Sequence, residues 1–415
     1  MIYIVRESVV TDGNIVRILT INSGSSSIKF SLYHMGSIGT QMLSGSASGI
    51  GFASGLFHIK DADGKSRIEA KLSLRDHGAA LHEIISWLHS NAIDRDVDAV
   101  GHRLVHGGSL YAEPHLITAE VLTLLDKLVP FAPDHLPHEI DAIKEFTHSY
   151  PGLKQVACFD TAFHRTMPEV AQRYALPREV HRHGVLRYGF HGLSYEYILS
   201  ELRKAAGPET IDGRVIIAHL GNGASMAAFR RGKSKDTTMG FTPAGGLVMS
   251  TRSGDLDPGV IVYLLKDKGM DAAAVNRMVN NEAGLLGVSG ISADMKVLLD
   301  EESRNPDAAE AVELFCYQAR KFLGGLSAVL GGLDTLIFTG GIGENSPSIR
   351  ERICKDTEFL GIRFDKDLNW ENASIISRKG SPAVVRVMKT NEELMIARHT
   401  YDHIKNTIVA GGPKR

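Results

Sequence analysis

The sequence predicts an α/β protein made of two similar halves. Three observations carry this. Residues 18–33 (ILTINSGSSSIKFSLY) place Ile18, Leu19 and Ile21 before the small polar turn Asn22-Ser23-Gly24-Ser25-Ser26-Ser27, after which Ile28, Phe30 and Leu32 alternate with Lys29 and Ser31. Period-two alternation on both sides of a Gly/Ser turn reads as a β-hairpin. About half a chain later, residues 215–229 (VIIAHLGNGASMAAF) repeat the arrangement around Gly221-Asn222-Gly223-Ala224-Ser225, which points to a duplicated unit. A strand over 335–339 then runs into a third glycine-rich turn, Gly340-Gly341-Ile342-Gly343-Glu344-Asn345.

Between these anchors the elements follow in order. Residues 45–64 are rich in Gly and Ser and read as short strands and turns. Residues 77–91 predict a helix, with Leu81, Ile84, Ile85 and Leu88 on one face. Residues 98–100 predict a short strand that ends at the polar segment GHRLVHGG. Residues 118–128 predict a helix capped by Thr118 and stopped by Pro130 and Pro133, followed by the loop FAPDHLPHE. Residues 155–159 predict a strand ending at Asp160. Residues 239–259 form a long glycine-rich loop carrying Arg252, Asp255 and Asp257, and loops of that length in a compact domain are usually functional. Helix starts are expected at Asp257-Pro258 and at 292–294. A long amphipathic helix covers 311–326, its stripe of Val312, Phe315, Ala319, Phe322, Leu323 and Leu326 reading as core or a packed interface. Thr390 or Asn391 caps the last helix, with Glu392 and Glu393 in its first turn.

Composition sets limits. A chain of 415 residues is long enough for two domains. A net charge of −2 leaves no basic footprint for nucleic acid or an anionic membrane. No apolar run reaches the ~18 residues of a membrane span. Residues 1–14 (MIYIVRESVVTDGN) read as an extension that lacks the organisation of a signal peptide. Cys158, Cys316 and Cys354 are too few and too scattered for a disulfide or metal framework. A cytoplasmic enzyme fits best.

Several residues have both a chemical and a plain reading. The first turn is either an ordinary solvated hairpin turn or a phosphate cradle of N–H and O–H groups with Lys29 beside it. The second copy and the third turn favour one nucleotide held between the halves, although neither a Walker loop nor a dinucleotide fingerprint is present. Arg103 is a surface charge or, between apolar residues and two histidines, a site cation. Asp160 is a site carboxylate or a cap for the next turn through Thr161. His191 has glycines nearby that let backbone approach a ligand. Glu392 is fully explained as a first-turn helix acid.

From residue 15 to the C-terminal helix the chain resembles the acetate kinase family, within the superfamily of acetate and sugar kinases, heat-shock chaperones and actin. The resemblance rests on NSGSSSIKF at Asn22, GHRLVHGG at Gly101, FDTAFH at Phe159, RYGFHG at Arg187, HLGNGAS at His219, TRSGDLDPG at Thr251, GGIGEN at Gly340 and TNEE at Thr390. It implies two duplicated actin-like (ribonuclease H-like) domains with an interdomain nucleotide cleft. The first would span 15–161 plus about 395–415, and the second 162–394. It also implies a homodimer and the reaction ATP + acetate ⇌ ADP + acetyl phosphate with Mg²⁺, Mn²⁺ being an alternative.

By the same resemblance, Asn22 and Glu392 bind the metal. Asp160, His191 and Arg252 form the catalytic group, and Arg103 holds the substrate carboxylate. Val105, His135, Phe190 and Pro243 line the acyl pocket. Lys29, His219, Leu220, Gly221, Asn222 and Gly223 serve the phosphates. Asp294, Met295, Lys296, Gly341, Ile342, Gly343, Glu344 and Asn345 hold the rest of the nucleotide. Physical chemistry qualifies one role. A carboxylate substrate is already ionised at neutral pH and offers no proton to a base, so Asp160 is expected to orient Arg103, His191 or the metal shell.

The chain departs from its family at Asp134, where the family loop Ala-Pro-Leu-His-Asn-Pro has Leu, and in Thr242-Pro243-Ala244-Gly245-Gly246, where Leu-Glu-Gly is usual. Ser250 replaces a Gly and Lys296 an Arg. Asp134 is expected to turn to solvent, to pair with His135 or His138, or to accept from a substrate hydroxyl. Propionate, butyrate and hydroxy-acid kinases are therefore alternatives. A nucleotide-driven binding protein is a more distant one, since it needs no carboxylate clamp.

Overall fold

The structure is a computed structural model, described here for residues 15–24, 26–36 and 38–409. The extension 1–14 and the last residues of the chain lie outside the described part.

Thirteen strands are described: β1 (Val16–Ser23), β2 (Ser27–Met35), β3 (Thr40–Ser48), β4 (Gly55–Asp61), β5 (Ser66–Leu72), β6 (Ala99–Leu104), β7 (His115–Leu116), β8 (Lys154–Phe159), β9 (Arg214–Leu220), β10 (Ala224–Arg230), β11 (Lys233–Thr237), β12 (Thr335–Thr339) and β13 (Val384–Val387). They form two mixed sheets, β5-β4-β3-β2-β1-β6-β8-β7 and β11-β10-β9-β12-β13. The duplication is visible in the strand order. Each sheet has an antiparallel trio (β3-β2-β1 and β11-β10-β9) followed by two parallel strands (β6-β8 and β12-β13). Both hairpins read from the sequence are therefore present, with Asn22 opposite Lys29 in the first and His219 opposite Ser225 in the second.

β1 is buried on both faces, and its apolar residues fall on both. Leu19 and Ile21 pack with Leu81, Ile84 and Leu88 of the helix His77–Ser90. Val16 and Ile18 pack on the other side with Ile396, Ala397 and Ile404 of the C-terminal helix Glu392–Val409. The long helix is Pro306–Leu330, and Val312, Phe315, Ala319, Leu323 and Leu326 of its stripe are buried. Thr118, Asp257 and Asp294 cap the helices expected of them, and Asn391 Oδ1 accepts from the Leu394 N–H at 2.9 Å. The three cysteines are buried and unpaired. No described helix is long and apolar enough to cross a membrane.

Three expectations need correction. The strand read as 98–100 continues through Leu104, so Arg103 sits inside β6. Polar residues hide that strand in the sequence, but His102 is buried against Gln155 Oε1 at 2.7 Å. Gly101 has no side chain because a Cβ would lie 2.2 Å from Thr400 Oγ1 of the C-terminal helix. The loop after Pro133 gives way to a helix, Leu136–Ser149; Pro137 falls in its first turn, where no N–H is needed. The third turn is a short helix, Gly340–Asn345. Gly340 enters it at φ +78°, and a Cβ there would lie 2.7 Å from the Leu220 carbonyl.

Buried neutral histidines link this core to pH. Burial pushes His102, His106 and His164 down from 6.5 to about 4 each. The folded state thus binds these protons more weakly than the unfolded chain. Their contribution is fully present above about pH 6.5 and is lost as pH falls towards about 4. His102→Gln removes one such group, so its urea midpoint should fall less than that of the wild type between those two pH values. Equal slopes would show that His102 is not buried neutral.

Candidate active site

A cleft of about 850 Å³ is lined by residues that follow strands of both sheets. The first hairpin contributes Asn22, Gly24, Ser27 and Lys29 to its wall, and the second Gly221, Asn222 and Gly223. The helix Gly340–Asn345 adds Gly341, Ile342, Glu344 and Asn345; the cap of the next wall adds Asp294, Met295 and Lys296. Arg103, His191, His219 and Glu392 complete the list of expected residues that line it.

Arg103 and Asp160 form the central contact. Arg103 Nε donates to both Asp160 oxygens at 3.2 and 3.1 Å, and Nη2 donates to Oδ2 at 2.5 Å. Nη1 donates to Asn22 Oδ1 at 3.2 Å. Burial works against the Arg103 charge, but Asp160 and Glu392 outweigh it and hold the guanidinium above its usual range. Asp160 is fully buried behind Arg103 rather than exposed in the cleft. Its own N–H donates to the Leu104 carbonyl, and its carbonyl accepts from Gly192.

His191 stands at φ +60° just before the helix Gly192–Ala206. Its Nδ1 is 2.9 Å from Ser225 Oγ, and Ser225 in turn contacts the Tyr195 hydroxyl. Its ring stacks on His219 with centroids 4.2 Å apart. Burial, then His219, Arg103 and Arg252, hold it well below 6.5, so it is neutral at neutral pH. His219 is pushed down to about 4 by burial, Arg103 and Lys29, and its Nδ1 is 2.8 Å from Ser194 Oγ. Gly223 shows where the second cation lies: a Cβ there would meet His191 Nε2 at 3.4 Å and Arg252 Nη1 at 3.5 Å. A neutral imidazole and a guanidinium thus converge on one point of the phosphate turn.

The remaining expected residues are placed less directly. Arg252 is not part of the cleft wall; its Nη1 lies beside Gly223, which is, and donates to the Pro243 carbonyl at 3.3 Å. Val105, His135, Phe190 and Pro243 do not line the cleft. Val105 and Phe190 are buried in the core, and His135 is pushed down to about 3 by burial, Arg252 and Arg103. Leu220 and Gly343 are buried behind the cleft wall. Glu344 lines the cleft, but its Oε1 is taken by the N–H groups of Gly340 and Thr390 at 2.9 and 3.1 Å. Asn345 Nδ2 donates to the Gly341 carbonyl at 2.9 Å. Both therefore brace the short helix. Asp134 is exposed, and its charge acts on Arg252 and His138.

Glu392 and Glu393 bring oxygens that suit a hard divalent cation, whereas Asn22 turns its Nδ2 to them and its Oδ1 to Arg103, so Asn22 joins a cation only with its amide turned over. Asn22 Nδ2 lies 3.4 Å from oxygens of both Glu392 and Glu393. Burial raises the Glu392 carboxyl to about 7; Arg103 opposes the rise, and Asp160 and Glu393 add to it. That corner holds more negative charge than Arg103 neutralises. Among the described residues no three His, Cys, Asp or Glu side chains form a metal cage. A cation here would complete its shell from phosphate and water oxygens, the habit of Mg²⁺.

Residues 17–398 match the acetokinase family. The chain belongs to the acetokinase family. It is 47% identical over 389 residues to an acetate kinase of Rhodopseudomonas palustris (strain TIE-1), covering 92% of this chain and 97% of that one. It is 46% identical over 394 residues to an acetate kinase of Methylocella silvestris, covering 92% and 96%. Among solved structures, an acetate kinase of Porphyromonas gingivalis aligns with a TM-score of 0.84 at 38% identity, covering 93% of this chain and 99% of that one. A propionate kinase of Francisella tularensis aligns with a TM-score of 0.86 at 36% identity and the same coverage.

Sequence reasoning passed over several members of this site. Ser225 lay in the second turn with nothing to mark it as the partner of His191. Ser194, 25 residues from His219, gave no pattern at all. Glu393 was legible only as a second helix acid. Gly192 was noted for backbone access, yet its role is packing: a Cβ would stand 2.2 Å from the Asp160 carbonyl. Gly192→Ala should displace Asp160 or His191 and lower kcat on the order of 10²-fold, the scale of a ~1 Å misplacement. Unchanged turnover with an unchanged melting temperature would mean that this contact does not position the site.

Proposed function

We propose that this chain is an acyl kinase that catalyses ATP + acetate ⇌ ADP + acetyl phosphate by direct in-line transfer. The observation that carries this is Arg103, braced by Asp160, standing in the same cleft as the His191–Arg252 convergence on the phosphate turn. Arg103 presents a guanidinium to the substrate carboxylate, the matching shape for a planar anion. The glycine-rich turns receive the phosphates on backbone N–H groups. If Tyr195 donates to Ser225 and Ser225 to His191 Nδ1, the ring proton sits on Nε2 and faces the transferring phosphoryl group. Arg252 adds a positive charge at the same point, which suits a transition state with charge spread over its equatorial oxygens. Mg²⁺, or Mn²⁺, held by Asn22 and Glu392 would neutralise phosphate charge. Asp160 removes no proton, because the acceptor has none; it aims Arg103.

The same reading extends to organisation. The first sheet with the C-terminal helix forms one actin-like domain, divided from the second near Asp160. This is supported by the packing of Ile396, Ala397 and Ile404 on β1 and its neighbours. The protein works as a cytoplasmic homodimer without nucleic-acid or membrane partners. Support comes from the helix Pro258–Lys266, on which Val260, Val262, Tyr263 and Leu265 are each 38–48% exposed and no residue is buried. Such a patch suits burial against a second copy.

A second reading, a propionate or longer-chain kinase, has the Francisella tularensis structure in its favour. A hydroxamate assay with acetate, propionate, butyrate and glycolate separates the two, and no turnover with any acid would overturn the acyl-kinase reading. Arg103→Ala and Arg252→Ala should each lower turnover on the order of 10²-fold or more, as when one oxyanion donor is lost. Arg103→Lys should rescue poorly, since the fork is gone; near-normal activity of that variant would exclude a bidentate clamp.

Asp134 decides the hydroxy-acid option. Its exposure supports the solvent-facing outcome, with acetate as substrate. Asp134→Leu should leave the relative kcat/KM for acetate, propionate and glycolate unchanged. A wild type that prefers glycolate, reverting to acetate in the variant, would show that Asp134 reads a substrate hydroxyl.

A further inference from the structure

One buried acid beside this site has no part in the reaction described so far. Glu139 lies in the first turn of the helix Leu136–Ser149 and is 1% exposed. Its Oε2 accepts from the Val105 N–H at 2.9 Å. Its Oε1 is buried without a hydrogen-bond partner among the described residues. The charged groups that act on it are Arg103 in β6 and Asp160 at the end of β8. On its own segment, His135 and His138 are both held below the usual histidine range by burial. The hydrogen bonds of Arg103 go to Asp160 and Asn22, and none reaches Glu139.

An ionised carboxylate in that position would be a buried anion with one hydrogen bond and one bare oxygen, which is costly. The helix N-terminus favours an anion, and so does Arg103, but burial is the largest influence. It raises the Glu139 carboxyl to about 8, with Asp160 adding to the rise. At neutral pH the group is a carboxylic acid. Oε2 accepts from Val105, so the proton resides on Oε1.

We propose that Glu139 is a neutral positioning acid: it fixes the Val105 backbone just past the end of β6, two residues from Arg103, and, by remaining protonated, leaves the charge of Arg103 to the substrate carboxylate. The proposal rests on the acyl-kinase reading of the cleft. Ionised, Glu139 would join Asp160 and Glu392 as a third carboxylate drawing on Arg103. Linkage then requires reciprocity: a bound substrate carboxylate strengthens proton binding at Glu139, and loss of that proton weakens substrate binding.

The test compares wild type, Glu139→Leu and Glu139→Gln by steady-state kinetics from about pH 6 to about pH 9.5, a range that brackets the expected titration. Glu139→Leu leaves the Val105 N–H without an acceptor, so KM for acetate should rise on the order of tenfold while KM for ATP changes little. Glutamine mimics the neutral acid. It should recover most of that loss and abolish the rise in acetate KM expected of wild type above about pH 8. Infrared difference spectra between wild type and Glu139→Gln should show the carbonyl stretch of a protonated carboxyl group at neutral pH. A glutamine variant no better than leucine, or a missing carbonyl band, overturns the proposal. Failure of wild type to phosphorylate any short-chain acid overturns the acyl-kinase reading instead, and the infrared measurement still decides whether Glu139 carries its proton.

Discussion

The structure of the cleft depends on one buried ion pair. Arg103 sits in β6 and Asp160 just past the end of the neighbouring parallel strand β8. Sheet geometry therefore sets their separation before any side chain moves. Removing one member would leave an uncompensated buried charge, which typically costs about 3–5 kcal/mol. The intact pair is weaker evidence for stability than for orientation, since apolar replacements of buried pairs are often neutral. Orientation is what the neighbours suggest. Asn22 Oδ1 accepts from Nη1 of the guanidinium, and Gly192 ties the Asp160 carbonyl to the turn that holds His191 at a positive φ. Asp160 thus fixes a cation through its carboxylate and, through its backbone carbonyl, the turn that carries an imidazole.

Duplication explains how the two sides come to face each other. In both sheets a hairpin precedes two parallel strands, and the turns lie at the ends that open on the cleft. Ligands in open α/β sheets bind beyond the carboxyl ends of parallel strands, and here two such ends are opposed. The two copies have diverged in chemistry. The first carries Asn22, Arg103 and Asp160. The second presents mainly glycine backbone, with Arg252 reaching in from the long loop.

That division governed what could be read from the chain. The hairpins, the caps and the long helix were legible because each has a local pattern: period-two alternation, a Thr or Asp before an apolar run, a stripe at helical spacing. β6 was cut short because it continues as Gly, His, Arg and Leu, and the fit of Gly101 and His102 depends on Thr400 and Gln155, which are distant in sequence. The helix Leu136–Ser149 was lost behind Pro137, whose place in a first turn cannot be told from a breaker without the geometry. The cleft residues were legible from motif strings, but their partners were not. Nothing in the sequence joins Ser194 to His219, or Glu139 to the Val105 amide, because hydrogen bonds between side chains far apart in the chain leave no periodic trace. Glu344 shows the converse. It lay in a motif and lines the cleft, yet its carboxylate is consumed in bracing backbone N–H groups.

Arg350 extends this logic to the second half. It is fully buried, and among the described residues it has no carboxylate partner. Its five hydrogen bonds go to Asn369 Oδ1, Asn372 Oδ1 and the carbonyls of Gly343, Glu344 and Asn369. Burial lowers it to about 10, which still leaves it charged at neutral pH. A guanidinium held only by neutral acceptors is an expensive way to fill a core, so its placement is informative. Gly343 and Glu344 lie at the C-terminal end of the short helix whose first residues line the cleft. A cation at that end opposes the negative pole of the helix while the N-terminal N–H groups face the cleft. The helix is too short to hold its own geometry by propagation, and Arg350 on its last carbonyls with the Glu344 carboxylate on the Gly340 N–H supply what its length does not. The first half of the cleft is thus organised by an arginine aimed into it, fixed by acceptors 57 and 81 residues away in the chain, and the second by an arginine aimed away from it, fixed by acceptors only 6 to 22 residues away.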